Sequence, residues 1–194
     1  MTSPQLWLVR HGETAWSIAG RHTGRTDLPL DDPGRSQAEA VAPLLRKHDF
    51  VQVMTSPLQR ARETCTLAGF GDRADVVDDL QEWDYGDYDG RTTAEIRAER
   101  PDWSLWRDGC PGGEDAAQVG QRVDRVIARV RTVDGDVLAF AHGHLLRVLA
   151  ARTRATTRSA RAATCCAVSP PGHPSCHRSQ SGRVVRICSV VRPS

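Results

Sequence analysis

A chain of 194 residues with 39% hydrophobic and 26% charged residues suits one globular domain of ordinary composition. It contains no apolar run of the roughly 18 residues that a membrane span requires, and the opening "MTSPQLWLVR" lacks the basic-then-apolar pattern of a secretory signal, which predicts a cytoplasmic location and no membrane partner. The net charge of +2 is unevenly spread: no Asp or Glu follows Asp136, seven arginines fall within 153–194, and the first 152 residues carry 19 basic against 24 acidic groups.

In chain order, "QLWLV" (5–9) reads as a strand buried on both faces, as in a sheet covered by helices. A helix is predicted to begin after the breaker pair Pro33-Gly34, to bury Ala38, Val41, Ala42 and Leu45, and to end on Arg46 and Lys47. "FVQVM" (50–54) is a second strand buried on both faces, whereas "ADVVDDL" (74–80) is a third run of strand length without that reading. Val119, Val123, Val126, Ile127 and Val130 then line a single helical face. "DVLAFA" (136–141) is a fourth strand, followed directly by the helical pattern "HLLRVLAAR" (144–152). This alternation predicts a three-layer α/β/α sandwich around a mostly parallel sheet.

In such sheets ligands bind beyond the carboxyl ends of the strands. The first strand ends in Arg10, His11 and Gly12. The second runs into "TSPLQRAR" with Arg60 and Arg62, the third leads to Glu82, and the fourth stops at His142, Gly143 and His144. Two imidazoles, two or three guanidinium groups and a carboxylate thus gather at one edge.

That set suits phosphoryl transfer. A neutral imidazole attacks phosphorus and forms a phosphohistidine. Arginine meets the equatorial oxygens with a rigid fork, a protonated His142 would donate to the same oxygens, and a carboxyl group protonates the leaving alcohol and later deprotonates water. The guanidinium beside His11 should keep it unprotonated. No metal or other cofactor is needed, and too few carboxylates accompany His11, His142 and His144 for a zinc site. Asp84, Asp87 and Asp89 compete with Glu82 for the acid role, and Glu63 offers a bland ion-pair partner to Arg60 or Arg62. His22, His48 and His144 read as surface or supporting residues, and Trp16, Trp83, Trp103 and Trp106 as packing.

The strings "LVRHGETAWS", "TSPLQRARET", "EWDYGDYDG", "PGGED" and "FAHGHLLR" resemble the histidine phosphatase superfamily, in its phosphoglycerate-mutase-like branch, over residues 5 to 152. The resemblance implies that His11 is the phosphorylated nucleophile, that Arg10, Arg60 and His142 form the phosphate pocket, and that Glu82 is the general acid/base. It also implies that Thr23 and Gly24, in "GRHTGRTDLPL", flank the substrate. Gly143 is expected where a side chain would intrude on the phosphate. Ser17 stands where relatives commonly carry a phosphate-contacting Asn, and donates with a shorter reach. Asp115 replaces the usual Ser after "GGE" and serves equally as a helix N-cap. The 60 residues between Glu82 and His142 leave no room for the longer insertion of mutases. The resemblance therefore implies a metal-independent phosphomonoesterase acting on small phosphorylated metabolites, with a mutase, or a phospho-ligand-binding module without turnover, as the alternatives.

The remainder, 153–194, departs from the family. It is rich in Arg, Ser, Thr and Pro, and holds four of the six cysteines. Only "RVVRICSVV" (183–191) reads as a strand; the rest is expected to stay disordered. The abrupt change predicts a reading frame lost near Arg152, which translation of the DNA in the other two frames tests. A zinc site from Cys165, His173, Cys176 and His177 fits no usual ligand spacing, and the absence of interleaved aromatics argues against a nucleic-acid partner. The family includes monomers and dimers, so a homodimer stays open.

Overall fold

A computed structural model describes residues 5–157 and 184–188. Strands β1 (Gln5–Arg10), β2 (Phe50–Thr55), β3 (Ala74–Val76), β4 (Asp136–Ala141) and β5 (Val184–Cys188) form one sheet in the order β3-β2-β4-β1-β5, with every pairing parallel. The helices are α1 (Ala15–Ile18), α2 (Asp32–Leu45), α3 (Gln59–Leu67), α4 (Thr93–Glu99), α5 (Leu105–Asp108), α6 (Ala116–Arg131) and α7 (Gly143–Thr157). Among the described residues no helix is long and apolar enough to cross a membrane.

A parallel sheet must be covered on both faces, and the strand period of two divides its side chains accordingly. Leu6, Leu8, Val137 and Ala139 pack in one core with the Val119–Val130 face of α6 and with Leu145, Leu146 and Leu149 of α7. Trp7, Val9, Leu138 and Phe140 face the other way, against Leu45 of α2 and Cys65 of α3. The predicted three layers are present. A register shift between Phe50 and Gln52 inserts one residue into β2. It lets Phe50 join Val53 in the second core and leaves Val51 exposed.

Two predicted elements differ. Helix α2 starts before the Pro33-Gly34 pair: Asp31 caps it by accepting from Gly34 N–H at 2.7 Å, and Pro33 sits in the first turn, where a missing N–H costs nothing. Gly34 serves packing, because a Cβ there would overlap the backbone of Glu13, and one on Gly12 would overlap Gly34. The third strand is shorter than 74–80. It stops at Val76 and gives way to a 3₁₀ turn at Asp78–Leu80, because Arg122 of α6 takes the backbone carbonyls of Asp79 (3.0 Å) and Gln81 (2.6 Å) away from any ladder.

The boundary expected at residue 152 falls inside α7, and the strand read at 183–191 is β5, which lies along β1. The cysteines and histidines at 165, 173, 176 and 177 lie outside the described residues, as does most of the segment expected to be disordered.

Candidate active site

Register builds the site. Arg10 pairs with Ala141, and the ladder runs one step further, with His11 N–H donating to the Ala141 carbonyl at 3.0 Å. On the other side of β4, Ser56 N–H donates to the Phe140 carbonyl at 3.0 Å. Ser56, His142 and His11 therefore stand side by side, each just past the end of its strand. The His11 and His142 rings are 5.2 Å apart between centroids, close enough to share one tetrahedral oxyanion.

His11 is 5% exposed, with Nδ1 2.6 Å from the Gly12 carbonyl. A carbonyl only accepts, so Nδ1 carries the proton and, in the neutral ring, Nε2 keeps a bare lone pair. Burial, then the charges of Arg60 and Arg10, hold the imidazole well below its ordinary pKa against the opposing pull of the Gly12 carbonyl. His142 is fully buried. Its Nδ1 accepts from Arg60 Nε at 3.2 Å, which leaves Nε2–H to donate to Ser56 Oγ at 2.8 Å. Burial, Arg60 and His11 push its pKa well down as well, so the protonated form considered from sequence is not the one held here.

Arg60, on the first turn of α3, has no exposed surface. Besides His142 it donates to the carbonyls of Thr26 (2.9 Å), Thr23 (3.0 Å) and Gly24 (2.9 Å). Thr23 and Gly24 thus meet the site through carbonyl oxygens bound to Arg60. Gly24 N–H is already held by Asp89 at 2.7 Å. Glu63 pairs with Arg35 at 2.6 Å, so neither Arg60 nor Arg62 takes the ion pair considered from sequence. Arg10 is half-buried, and its buried Nε has no hydrogen-bond partner among the described residues. A cationic donor left so in a low-dielectric site is poised for an anion. Burial lowers its pKa while Glu82 opposes the shift.

Glu82 is 5% exposed and receives three backbone N–H groups: Trp83 (2.9 Å) and Leu145 (2.9 Å) on Oε1, and His144 (3.1 Å) on Oε2. Two of its three rivals are engaged elsewhere. Asp89 binds Gly24 and Thr26, and Asp84 binds Gly86 N–H and faces Arg25. Ser17 forms a capping box with Thr14, its hydroxyl accepting from Thr14 N–H at 2.9 Å and donating to the Thr14 carbonyl at 2.9 Å, so a phosphate contact would require opening that cap. A Cβ at Gly143 would meet Arg10 Nε at 3.4 Å, an ordinary contact, so the protein's own packing does not demand glycine there.

Sequence reasoning missed three supports. Ser56 orients His142. Arg122 donates to the Glu82 carbonyl at 3.0 Å and forks onto Glu114 at 2.7 and 2.9 Å, while Glu114 also accepts from Asp84 N–H at 2.9 Å. The pair grips the chain on both sides of Glu82. Asp115 caps α6, as expected from sequence.

With this geometry established, comparison identifies its relatives. The family model of the histidine phosphatase superfamily (branch 1) matches residues 6–168. An acid phosphatase of Mycobacterium tuberculosis is 45% identical over 152 residues, covering 76% of this chain and 74% of that protein. A sedoheptulose 1,7-bisphosphatase of Saccharomyces cerevisiae is 40% identical over 182 residues, covering 77% and 67%. The solved structure of an open-reading-frame product of Mycobacterium tuberculosis is similar with a TM-score of 0.74 and 44% identity, covering 78% of this chain and 80% of the other.

Proposed function

This chain belongs to branch 1 of the histidine phosphatase superfamily and is a phosphatase of that family, and we propose that it is a metal-independent acid phosphomonoesterase acting on small phosphorylated metabolites through a phosphohistidine on His11. The observation that carries the reading is the bond from His11 Nδ1 to the Gly12 carbonyl, which leaves Nε2 as a bare nucleophile beside His142 and Arg10. Nε2 attacks phosphorus, the phosphorus–oxygen bond to the alcohol breaks, and Glu82 gives the departing oxygen its proton. Water then attacks the phosphohistidine, Glu82 takes a proton from it, and the phosphorus–nitrogen bond returns its electron pair to Nε2.

Arg10 and Arg60 hold the equatorial oxygens, with Gly143 beside the Arg10 guanidinium and the Thr23–Gly24 loop fixing the Arg60 fork. An incoming phosphate dianion raises the pKa of His142, so that Nδ1 gains a proton and donates to phosphate in place of accepting from Arg60. An acid range of action is supported by His11: burial and the charges of Arg60 and Arg10 hold its pKa well below 6.5, so the nucleophile stays neutral as the solution is acidified. The buried free thiols Cys65 and Cys110 suit a reducing compartment, in keeping with a cytoplasmic site of action.

The test is rapid quenching with a ³²P-labelled monoester in EDTA. Wild type should yield an acid-labile, alkali-stable phosphoenzyme and release inorganic phosphate, and His11→Ala should yield neither. Loss of activity to EDTA, full turnover by His11→Ala, or transfer of phosphate to an added phosphoglycerate in place of its release would each reject the reading.

A further inference from the structure

Beside Glu82 stands a group of rings that the reaction above does not use. His144, whose main-chain N–H holds Glu82 Oε2, faces Trp106 at 5.4 Å and His22 at 6.0 Å between ring centroids. His22 in turn meets Tyr85 at 4.7 Å and Trp103 at 5.7 Å, and Trp83 supports Trp106 edge-on at 5.6 Å. Trp83, Tyr85 and Trp103 are buried, but Trp106 is 46% exposed. An indole half in solvent, backed by buried rings and set against the histidine whose N–H holds the carboxylate assigned to the leaving group, presents an apolar surface that a ligand can cover.

The charge pattern narrows the ligand. Tyr85 OH and His144 Nδ1 share a hydrogen bond at 2.6 Å, as do Thr93 Oγ1 and His22 Nε2 at 3.2 Å, so the imidazoles are locked by neutral hydroxyls. Burial lowers the pKa of His144 and brings that of His22 to about 4, which leaves both rings uncharged at neutral pH. The arginines of the surrounding loops are already engaged: Arg21 with Glu95, Arg25 with Asp84, Arg91 with Glu99 and Arg107 with Asp108. Arg147 lies one turn beyond His144 on α7, exposed, with its charge felt by Arg10 and His144. It is the cation an anionic leaving group would use.

We infer that Trp106, His144 and His22 form the leaving-group subsite, and that it selects monoesters whose alcohol carries an uncharged aromatic or heteroaromatic ring over those carrying a second phosphate or a carboxylate. The inference rests on the phosphatase reading above and specifies its substrate class. An exposed ring contact contributes about a five- to tenfold preference.

Benzyl phosphate and ethyl phosphate, whose alcohols leave with similar difficulty, isolate the ring. Wild type should favour benzyl phosphate about five- to tenfold in kcat/KM, chiefly through KM, and should favour it over 3-phosphoglycerate as well. Trp106→Ala should remove that preference, lowering kcat/KM about five- to tenfold more on benzyl phosphate than on ethyl phosphate, and Trp106→Phe should keep most of it. A calorimetric arm compares benzylphosphonate with ethylphosphonate and needs no turnover. Absent hydrolysis with tighter benzylphosphonate binding would reject the phosphatase reading and retain the subsite. Equal binding and turnover of the paired ligands, equal losses on both esters in Trp106→Ala, or a preference for 3-phosphoglycerate that Arg147→Ala abolishes would overturn the subsite.

Discussion

At the floor of the candidate site, Arg10, His11, Arg60 and His142 project from the ends of β1 and β4 and from the first turn of α3. At its rim, His22, Tyr85, Trp103 and Trp106 come from loops, a short helix and the turns between residues 83 and 114. The floor holds fixed charge, and almost every polar atom there has a named partner. The rim holds uncharged rings that touch through faces and edges. Register between parallel strands buried on both faces fixes the floor. Packing between irregular segments fixes the rim. On the proposed reading, chemistry and selectivity are separable in this molecule, and substitutions can show how sharply.

The largest effect belongs to Arg60. Arg60→Ala removes a proposed phosphate donor and orphans the carbonyls of Thr23, Gly24 and Thr26 together. Loss of one such charged donor costs about 10²- to 10³-fold in turnover, and the unpaired carbonyls add about 3 kcal/mol of lost stability. Steady-state kinetics and chemical denaturation on the same preparation check both. Turnover lost with stability intact would show that the loop holds itself, and that the floor is less integrated than its hydrogen bonds imply.

Next comes the grip on Glu82. In Glu114, burial favours the neutral acid, but the Arg122 hydrogen bonds, the Asp84 N–H and the Arg122 charge outweigh it and keep the pKa below its usual value. Arg122→Met breaks that pair and frees the 79–82 backbone. Stability should fall by about 3 kcal/mol, and kcat by about tenfold or more with KM little changed, since the proposed acid/base moves while the phosphate donors do not. The pH profile of kcat should shift as well. Arg122→Lys, which keeps charge without the fork, should restore stability better than kcat. An unshifted pH profile in Arg122→Met would make the residue purely structural.

Much of this was legible before any coordinates. Strand ends are marked by the break from apolar to charged residues, so the floor could be placed from Arg10, His11 and His142 alone. Arg122 also left a trace: it lies three residues after Val119 and four before Val126, on the buried face of α6, where an unpaired charge would be untenable. Ser56 left only its position after a strand, a weak signal for so common a residue. The rim left none. Trp106 reads as packing because its exposure depends on how α5 settles against Trp83, a tertiary contact that no periodicity encodes. The end of β3 was overrun for a similar reason, since the side chain that captures its backbone comes from a helix some 40 residues away in sequence.

A smaller effect joins the two regions, because both hold histidines below their ordinary pKa. For His11 and His142, and for His22 and His144 at the rim, the folded state resists a proton that the unfolded chain accepts below about pH 6.5. The unfolded chain then binds more protons, so stability rises with pH: it is fully present above 6.5 and is lost as pH falls toward the folded values. Each histidine contributes a slope of about 1.4 kcal/mol per pH unit in that window. Urea unfolding at pH 7.5, 6.5 and 5.5 should show the slope, and His142→Gln should make it shallower by about one proton. An unchanged slope in His142→Gln would mean that His142 is not held neutral.

The smallest expected effect is the most diagnostic of how the floor is ordered. Ser56 Oγ accepts from His142 Nε2–H and from Leu58 N–H at 3.3 Å, and the hydroxyl is fully buried. Ser56→Ala leaves two donors without an acceptor, which costs about 1–2 kcal/mol of stability. If the hydroxyl only filled space, kcat would not follow. If it helps to fix the tautomer, His142 keeps only the bond from Arg60 Nε to Nδ1 to hold its proton on Nε2. The ring then populates the Nδ1–H form, Arg60 Nε loses its acceptor, and the donor set shifts before phosphate arrives. Turnover should then fall about five- to tenfold, on benzyl and ethyl phosphate alike, because the rim is untouched. The ¹⁵N chemical shifts of the His142 ring read the tautomer directly. Wild type should show a protonated Nε2 and an unprotonated Nδ1, and Ser56→Ala a mixture. A preserved tautomer with reduced turnover would instead trace the loss to the Leu58 turn at the start of α3, and so to the placement of Arg60.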